Sequence, residues 1–328
     1  MQIEMPKIEL YRVRTFSDKL TDTFNFLREN WRPMLKYFMY MMLPVSIILA
    51  LPLNNHFFEG YFKLITTIEK GSFFSNSEGI LYVISFIASI LGFIFAALLL
   101  ESFVFAMIRV YDRRPQRLQD VIYSDFRDDL FFCLKRGVIM ALVGLGLFAA
   151  IVVIVAIVLA LVFLISPRLG AVIAIVGLVI FYIALIVLMC PLYMVAPIYL
   201  LEDETGVIEA YKKALRLGFA TWGGIFAVMF VIGILSSVLQ SFTMMPWYLM
   251  SLVKTIFTLS SDMDKPFFHS FIYSFIQYLT CILMCLGYML SMIFSYVAIT
   301  IQYGHASEKI DGAGVSKRID KFDEFDNF

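Results

Sequence analysis

Gly137–Pro167 reads GVIMALVGLGLFAAIVVIVAIVLALVFLISP, 31 residues without a charge between Arg136 and Arg168. The next 33 residues, LGAVIAIVGLVIFYIALIVLMCPLYMVAPIYLL, run uncharged from Arg168 to Glu202. A helix rises ~1.5 Å per residue, and about 20 residues cross the ~30 Å hydrocarbon core of a bilayer. Both runs are longer than that. Ser166, Pro167 and Arg168 separate their bulk, so the pair reads as a tight helical hairpin through a membrane.

Composition carries this reading to the whole chain. Of its 328 residues 61% are hydrophobic and only 16% charged, with a mean hydropathy of +0.84. Soluble domains hold about 45–50% apolar and ~25% charged residues, so a soluble helical protein is set aside. The 26 basic and 26 acidic residues cancel, whereas a nucleic-acid partner calls for a basic excess.

The sequence predicts an all-α polytopic protein with six spans, at 37–53, 80–108, 137–165, 170–200, 223–246 and 270–303. They form one transmembrane domain, 37–303, between an N-terminal segment, 1–36, and a disordered tail, 304–328. The connecting segments alternate in Lys/Arg: 7 in 1–36, 2 in 54–79, 7 in 109–136, 1 in 166–169, 3 in 201–222, 2 in 247–269 and 4 in 304–328. Cytoplasmic loops keep the excess of cations, so both termini are expected in the cytoplasm and the protein in a bacterial-type inner membrane. No secretory signal is expected, because seven Lys/Arg precede the first apolar stretch near Tyr37. Trp31, Trp222 and Trp247 fall at span ends, where indole rings suit the headgroup zone.

An amphipathic segment precedes each odd-numbered span. The first has the stripe Phe16, Leu20, Phe24, Leu27 and Trp31, and Thr15 to Asp18 fits a capping box at its start. The second carries Leu118, Val121, Ile122, Phe126, Leu130 and Leu134. The third carries Val207, Ile208, Tyr211, Ala214, Leu215 and Phe219. Glu202, Asp203 and Glu204 lie just before the third, where negative charge on a solvated face suits a helix N-terminus. Such helices either lie in the interface or pack against the inner ends of the spans. The order of amphipathic helix, span, outer turn and span occurs three times. At a shift of 191 residues Trp31 falls on Trp222, Ser46 on Ser237, Lys63 on Lys254 and Tyr82 on Tyr273. Units one and three share an outer amphipathic stretch, Phe57 to Ile68 and Tyr248 to Leu259.

Pro197-Ile198-Tyr199-Leu200-Leu201-Glu202, then Gly206 to Ala210, Leu215, Gly218 and Trp222 before an apolar span, form a recurring kind of element. It resembles one in the bacterial six-helix membrane domain fused to some glycerophosphodiester phosphodiesterases, and in its stand-alone relatives. The resemblance is architectural over about residues 10–305 and motif-level over 197–222, with Ala214 where serine is expected. It implies a stand-alone, lipid-associated bilayer module. Phosphodiesterase activity is not implied, since no soluble catalytic domain accompanies the spans.

Chemistry is sparse. His56 and His269 are expected outside and His305 inside, so no three-histidine metal site forms, and no cofactor motif is present. Cys281 and Cys285, four apart on one helix face, read as a metal or redox pair or as small apolar filler; without His or acid partners filler is preferred. The one acid deep in a span is Glu101, with Arg109 eight residues on. A carboxylate there must be paired, hydrated or protonated. Ser236, Ser237, Gln240, Gln277, Thr280, Ser291, Ser295 and Gln302 are further polar groups in the spans. They line a cleft with Glu101, or serve as bonds between helices. Pro191 and Pro197 should kink the fourth span or free its carbonyls. Gly146 with Ala150, and Gly170 with Ala174, permit close helix contact.

The reading is therefore a non-enzymatic membrane module binding lipid, a membrane protein or a second copy. Glu101, Arg109, Gln240 and Gln277 are the candidate binding residues, with no catalytic residue and no metal ligand. The alternative is a transporter using Glu101 and the polar faces of spans five and six.

Overall fold

In a bilayer every peptide group must find its partner within the chain, and the apolar runs meet that demand as helices. The computed structural model of the protein describes residues 7–56, 77–115, 117–165, 167–259 and 270–315. Its helices are α1 (Phe16–His56), α2 (Ser77–Arg113), α3 (Tyr123–Ile165), α4 (Pro167–Leu192), α5 (Val195–Leu201), α6 (Val207–Ala220), α7 (Trp222–Leu259) and α8 (Phe271–Asp311). No strand occurs among the described residues. Six helical stretches are long and apolar enough to cross a membrane: Phe16–Asn54, Val83–Arg113, Tyr123–Leu161, Ile175–Leu201, Trp222–Lys254 and Phe271–Asp311. The protein is an all-α, multi-pass membrane protein.

The chain divides into two compact units. One comprises Met1–Glu29, Val104–Val231 and Tyr296–Phe328; the other comprises Asn30–Phe103 and Ile232–Ser295. In the first, Phe26 meets Tyr111 edge-on at 4.8 Å, among the buried Phe105, Leu118, Phe126, Leu200 and Leu217. Leu10 lies against α8, where its carbonyl meets Gly304 too closely for a side chain. In the second, Phe38, Met42, Leu49 and Leu53 of α1 form a core with Trp247 of α7 and Cys281, Cys285 and Met289 of α8. Tyr278 Oη donates to the Ile47 carbonyl at 2.6 Å, tying α8 to α1.

The capping box is present. Asp18 N–H donates to Thr15 Oγ1 at 3.3 Å, and Thr15 N–H to Asp18 Oδ2 at 3.1 Å. The first amphipathic segment, however, is not a separate helix, since α1 runs unbroken from it into the apolar stretch; the second is helical only from Tyr123, where α3 begins and likewise runs on, so Leu118, Val121 and Ile122 precede the helix. Only the third stands alone, as α6. The first stripe also points the opposite way from a core-facing one. Phe16, Phe24 and Trp31 are exposed, while Lys19, Thr23, Phe26 and Asn30 are buried. A helix at the interface can lay its apolar stripe against lipid, so such a stripe does not mark the inner face. The second segment does pack inward, with Leu118, Val121, Phe126 and Leu130 buried.

The two prolines act differently. The helix breaks at Tyr193–Met194, just where Pro197 has no N–H for the carbonyl four residues back, and the expected fourth span divides into α4 and α5. Pro191 stays inside α4, where the carbonyl left without its N–H is that of Val187. Trp222 supplies the replacement, its Nε1–H donating to Val187 O at 2.9 Å. Trp247 is likewise no headgroup anchor: it is buried within α7 and donates to Asn54 Oδ1 at 3.3 Å.

Other expectations shift. The outer stretch Tyr248 to Leu259 is a continuation of α7, and its counterpart Phe57 to Ile68 lies outside the described residues. Ser46 is buried and Ser237 exposed, so the repeat is one of element order and not of side-chain environment. Lys63 lies outside the described residues. The expected disordered tail starts as helix: α8 continues through a buried Ser307 to Asp311. Gly312, at φ 62°, closes it by donating to Glu308 O at 3.2 Å. Residues beyond 315 lie outside the described set.

Gly146 and Ala150 are exposed, and nothing stands within 4 Å of where a Gly146 side chain would begin. The close approach is made by Gly218, where an added Cβ would sit 2.5 Å from Pro191 Cα. Gly218→Ala is expected to lower stability by about 1–3 kcal/mol, because neither backbone can give way. Gly146→Ala is expected to leave the thermal midpoint in detergent unchanged or slightly raised. Equal midpoints for the two variants would refute the packing described.

Candidate functional site

Arg109 and Arg113 are one helical turn apart at the end of α2, so both face the same neighbour. That neighbour is Asp129 of α3, which accepts from Arg109 Nε at 2.9 Å and from Arg113 Nη2. Arg109 also donates to Leu200 O at 3.0 Å and to Asp203 Oδ1 at 2.7 Å. Its guanidinium lies 4.5 Å from the centre of the Phe132 ring. Arg136 approaches from α3, donating to the carbonyls of Asp203, at 2.7 Å, and Thr205, with its guanidinium 4.0 Å from the centre of the Tyr199 ring. Two arginines thus hold the segment between α5 and α6.

The acids there are not simply solvated helix-start residues. Asp203 is bound to Arg109, and Glu202 sits in a network of its own. Glu202 Oε1 accepts from Lys213 Nζ at 2.6 Å and from Tyr303 Oη, and Oε2 accepts from Thr205 Oγ1 at 2.7 Å. Burial pushes the Glu202 carboxyl up, but these three donors outweigh it and hold the group below its ordinary value of 4.5. Tyr11 lies edge-on to Tyr303 at 6.1 Å. Burial, the largest influence, pushes the Tyr11 hydroxyl up to about 12, so it stays a donor at neutral pH.

Next to this network is a cavity of about 180 Å³. Tyr11, Arg109, Asp112, Arg113, Leu201 and Asp203 line it. Guanidinium, carboxylate and phenol groups therefore converge where a span ends. That mixture can hold a phosphate on the arginines and a cationic group on the aspartates.

The four candidates from the sequence separate. Arg109 belongs to the cavity. Glu101, Gln240 and Gln277 belong to the other unit. There Gln240 Nε2 donates to Ser291 Oγ at 2.7 Å, and Gln277 Nε2 to Ser251 Oγ at 3.3 Å. Ser236 Oγ donates to Ser291 O at 3.1 Å. These polar groups join helix to helix. Glu101 is half-buried and makes no hydrogen bond or ion pair among the described residues. All four cysteines are buried and free, and no group of three or more potential metal ligands occurs among the described residues. His269 lies outside them.

The reading from sequence missed Asp129, Arg136, Tyr11 and Tyr303. The arginine pair spaced by four was the available signal. Its acidic partner sits on another helix, at a distance that no local pattern encodes. No protein-family model matches the chain, and neither curated proteins nor solved structures yield a match.

Two outcomes are expected. Asp129→Asn leaves two guanidinium groups without their shared carboxylate, and should cost roughly 3 kcal/mol in detergent unfolding. Arg113→Ala, at the exposed end, should cost under ~1 kcal/mol. Glu202 is depressed when folded, so its contribution is complete above the ordinary carboxylate value and is lost as pH falls through the folded one. The thermal midpoint should therefore drop more steeply on acidification in the wild type than in Glu202→Gln. Parallel curves would show that the network does not stabilise the fold.

Proposed function

We propose that this protein is a non-enzymatic module of a cytoplasmic membrane that binds phospholipid headgroups, with both termini in the cytoplasm. The supporting observation is the cavity at the end of α2, where Arg109 and Arg113 stand beside Asp112, Asp203 and Tyr11. A span that ends in arginines puts them at headgroup depth. The mixed lining suits a headgroup that carries both phosphate and ammonium. The orientation rests on the four Lys/Arg-rich segments, nearly all of whose cations fall in the unit containing both termini. The resemblance of 197–222 to a lipid-associated six-helix element agrees with this reading.

Transport is the competing reading, and Glu101 favours it by standing half-buried without a partner among the described residues. The glutamines that were to complete a cleft with it bind serines of neighbouring helices instead. That supports the binding module.

The full chain, purified in mild detergent and supplied with phosphatidylethanolamine, should retain that lipid in native mass spectra. Arg113→Ala should weaken retention roughly tenfold, as expected for loss of a charged hydrogen bond. Solute uptake by proteoliposomes that disappears in Glu101→Gln would decide for transport.

A further inference from the structure

A different group of residues points to a second site. Lys19 of α1 is 5% exposed and Gln302 of α8 is 0% exposed. Neither amide atom of Gln302 has a partner among the described residues. Lys19 Nζ likewise makes no hydrogen bond or ion pair there. Both side chains converge on one point of α7. A Cβ added at Gly224 would lie 3.2 Å from Gln302 Nε2, 3.4 Å from Lys19 Nζ and 3.7 Å from Gln302 Oε1.

That point is the first turn of a 38-residue helix, which begins at Trp222. The Gly224 and Ile225 N–H groups are taken by Thr221 O, at 3.0 and 3.1 Å, so this turn contributes the positive end of the helix dipole and not free N–H donors. The charges acting on Lys19 from its surroundings are those of Lys309 and Arg14, both cations. Asp22, three residues after Lys19 on α1, is taken by Arg14 at 2.6 Å. His305 does not compensate either, because its Nδ1 accepts the Arg14 N–H at 2.9 Å. An ammonium, an amide and a helix N-terminus therefore meet in a buried place, and among the described residues no carboxylate pairs with them. Buried charges and buried amides are retained when something pairs with them.

We infer that Lys19, Gln302 and the first turn of α7 at Gly224 form a buried binding site for a phosphate-type oxyanion. Lys19 supplies the charge and Gln302 Nε2 a directional donor, and the missing side chain of Gly224 leaves the point between them open to one oxygen of the anion. The site shares no residue with the cavity at Arg109 and Arg113, and stands or falls independently of it. Its phosphate is either free in solution or part of a lipid.

The test uses the full chain in neutral detergent, exchanged into chloride buffer without phosphate or sulfate. Inorganic phosphate, added at constant ionic strength, should raise the thermal midpoint and bind saturably. Lys19→Met should weaken that binding roughly tenfold or more, since it removes a charge-assisted hydrogen bond. Gly224→Ala keeps the charge but places a methyl group in the site, and should weaken binding as well. If phosphatidylglycerol gives the stabilisation and inorganic phosphate does not, with the same sensitivity to both variants, the phosphate belongs to a lipid. The inference is overturned if neither probe stabilises the wild type, or if the stabilisation survives in Gly224→Ala and in Lys19→Met. Should Lys19→Met fail to fold, the wild-type titration and Gly224→Ala still decide.

Discussion

Hydrocarbon offers a peptide group no partner, and that deprivation shapes each element of this protein. It makes the apolar runs helical and governs their hydroxyls. Ser89, Ser102, Ser237, Ser241 and Thr300 each donate to the carbonyl four residues back on their own helix, at 2.6–2.8 Å. The same constraint explains how α4 accommodates Pro191. Its missing N–H leaves Val187 O without a helical partner, and an indole from another helix supplies one. Gly218 allows α6 to come close to Pro191.

Charge is handled by concentration. Asp129 serves two arginines, Glu202 gathers a lysine, a tyrosine and a threonine, and aromatic faces back both Arg109 and Arg136. The guanidinium of Arg109 thus exchanges lost hydration for two carboxylates and a carbonyl, and that of Arg136 for two carbonyls. This arrangement fixes the α5–α6 segment and leaves Arg113 largely solvent-facing at the edge of the cavity. Against that economy Lys19 stands out, since its ammonium has no carboxylate partner among the described residues.

The architecture was legible because run length and uncharged composition are direct consequences of bilayer thickness. Helix starts were legible too: Thr15 and Asp18 form the box their spacing implied. Facing was much less so. Phe16, Phe24 and Trp31 look outward and Lys19 inward, because a helix at the interface can lay its apolar stripe against lipid. Trp247 looked like a belt residue and is core, since α7 continues past it to Leu259. Site pairing was beyond local reading. Arg109 was visible, but Asp129 and Asp203 reach it from 20 and 94 positions away. Gln240 and Gln277 were visible as polar groups, yet only packing reveals that serines occupy them.

The hairpin of α3 and α4 has a further consequence. Its described side chains between Leu142 and Met189 are largely exposed to whatever surrounds the protein, so this part of the fold answers to the solvent more than to a core. An uncharged run of 31 residues extends about 46 Å, well beyond the acyl layer. Hydrophobic mismatch of that size is relieved by tilting the helices or by thickening the bilayer around them. The hairpin therefore couples the angle of Arg136, at its root, to the thickness of the host membrane.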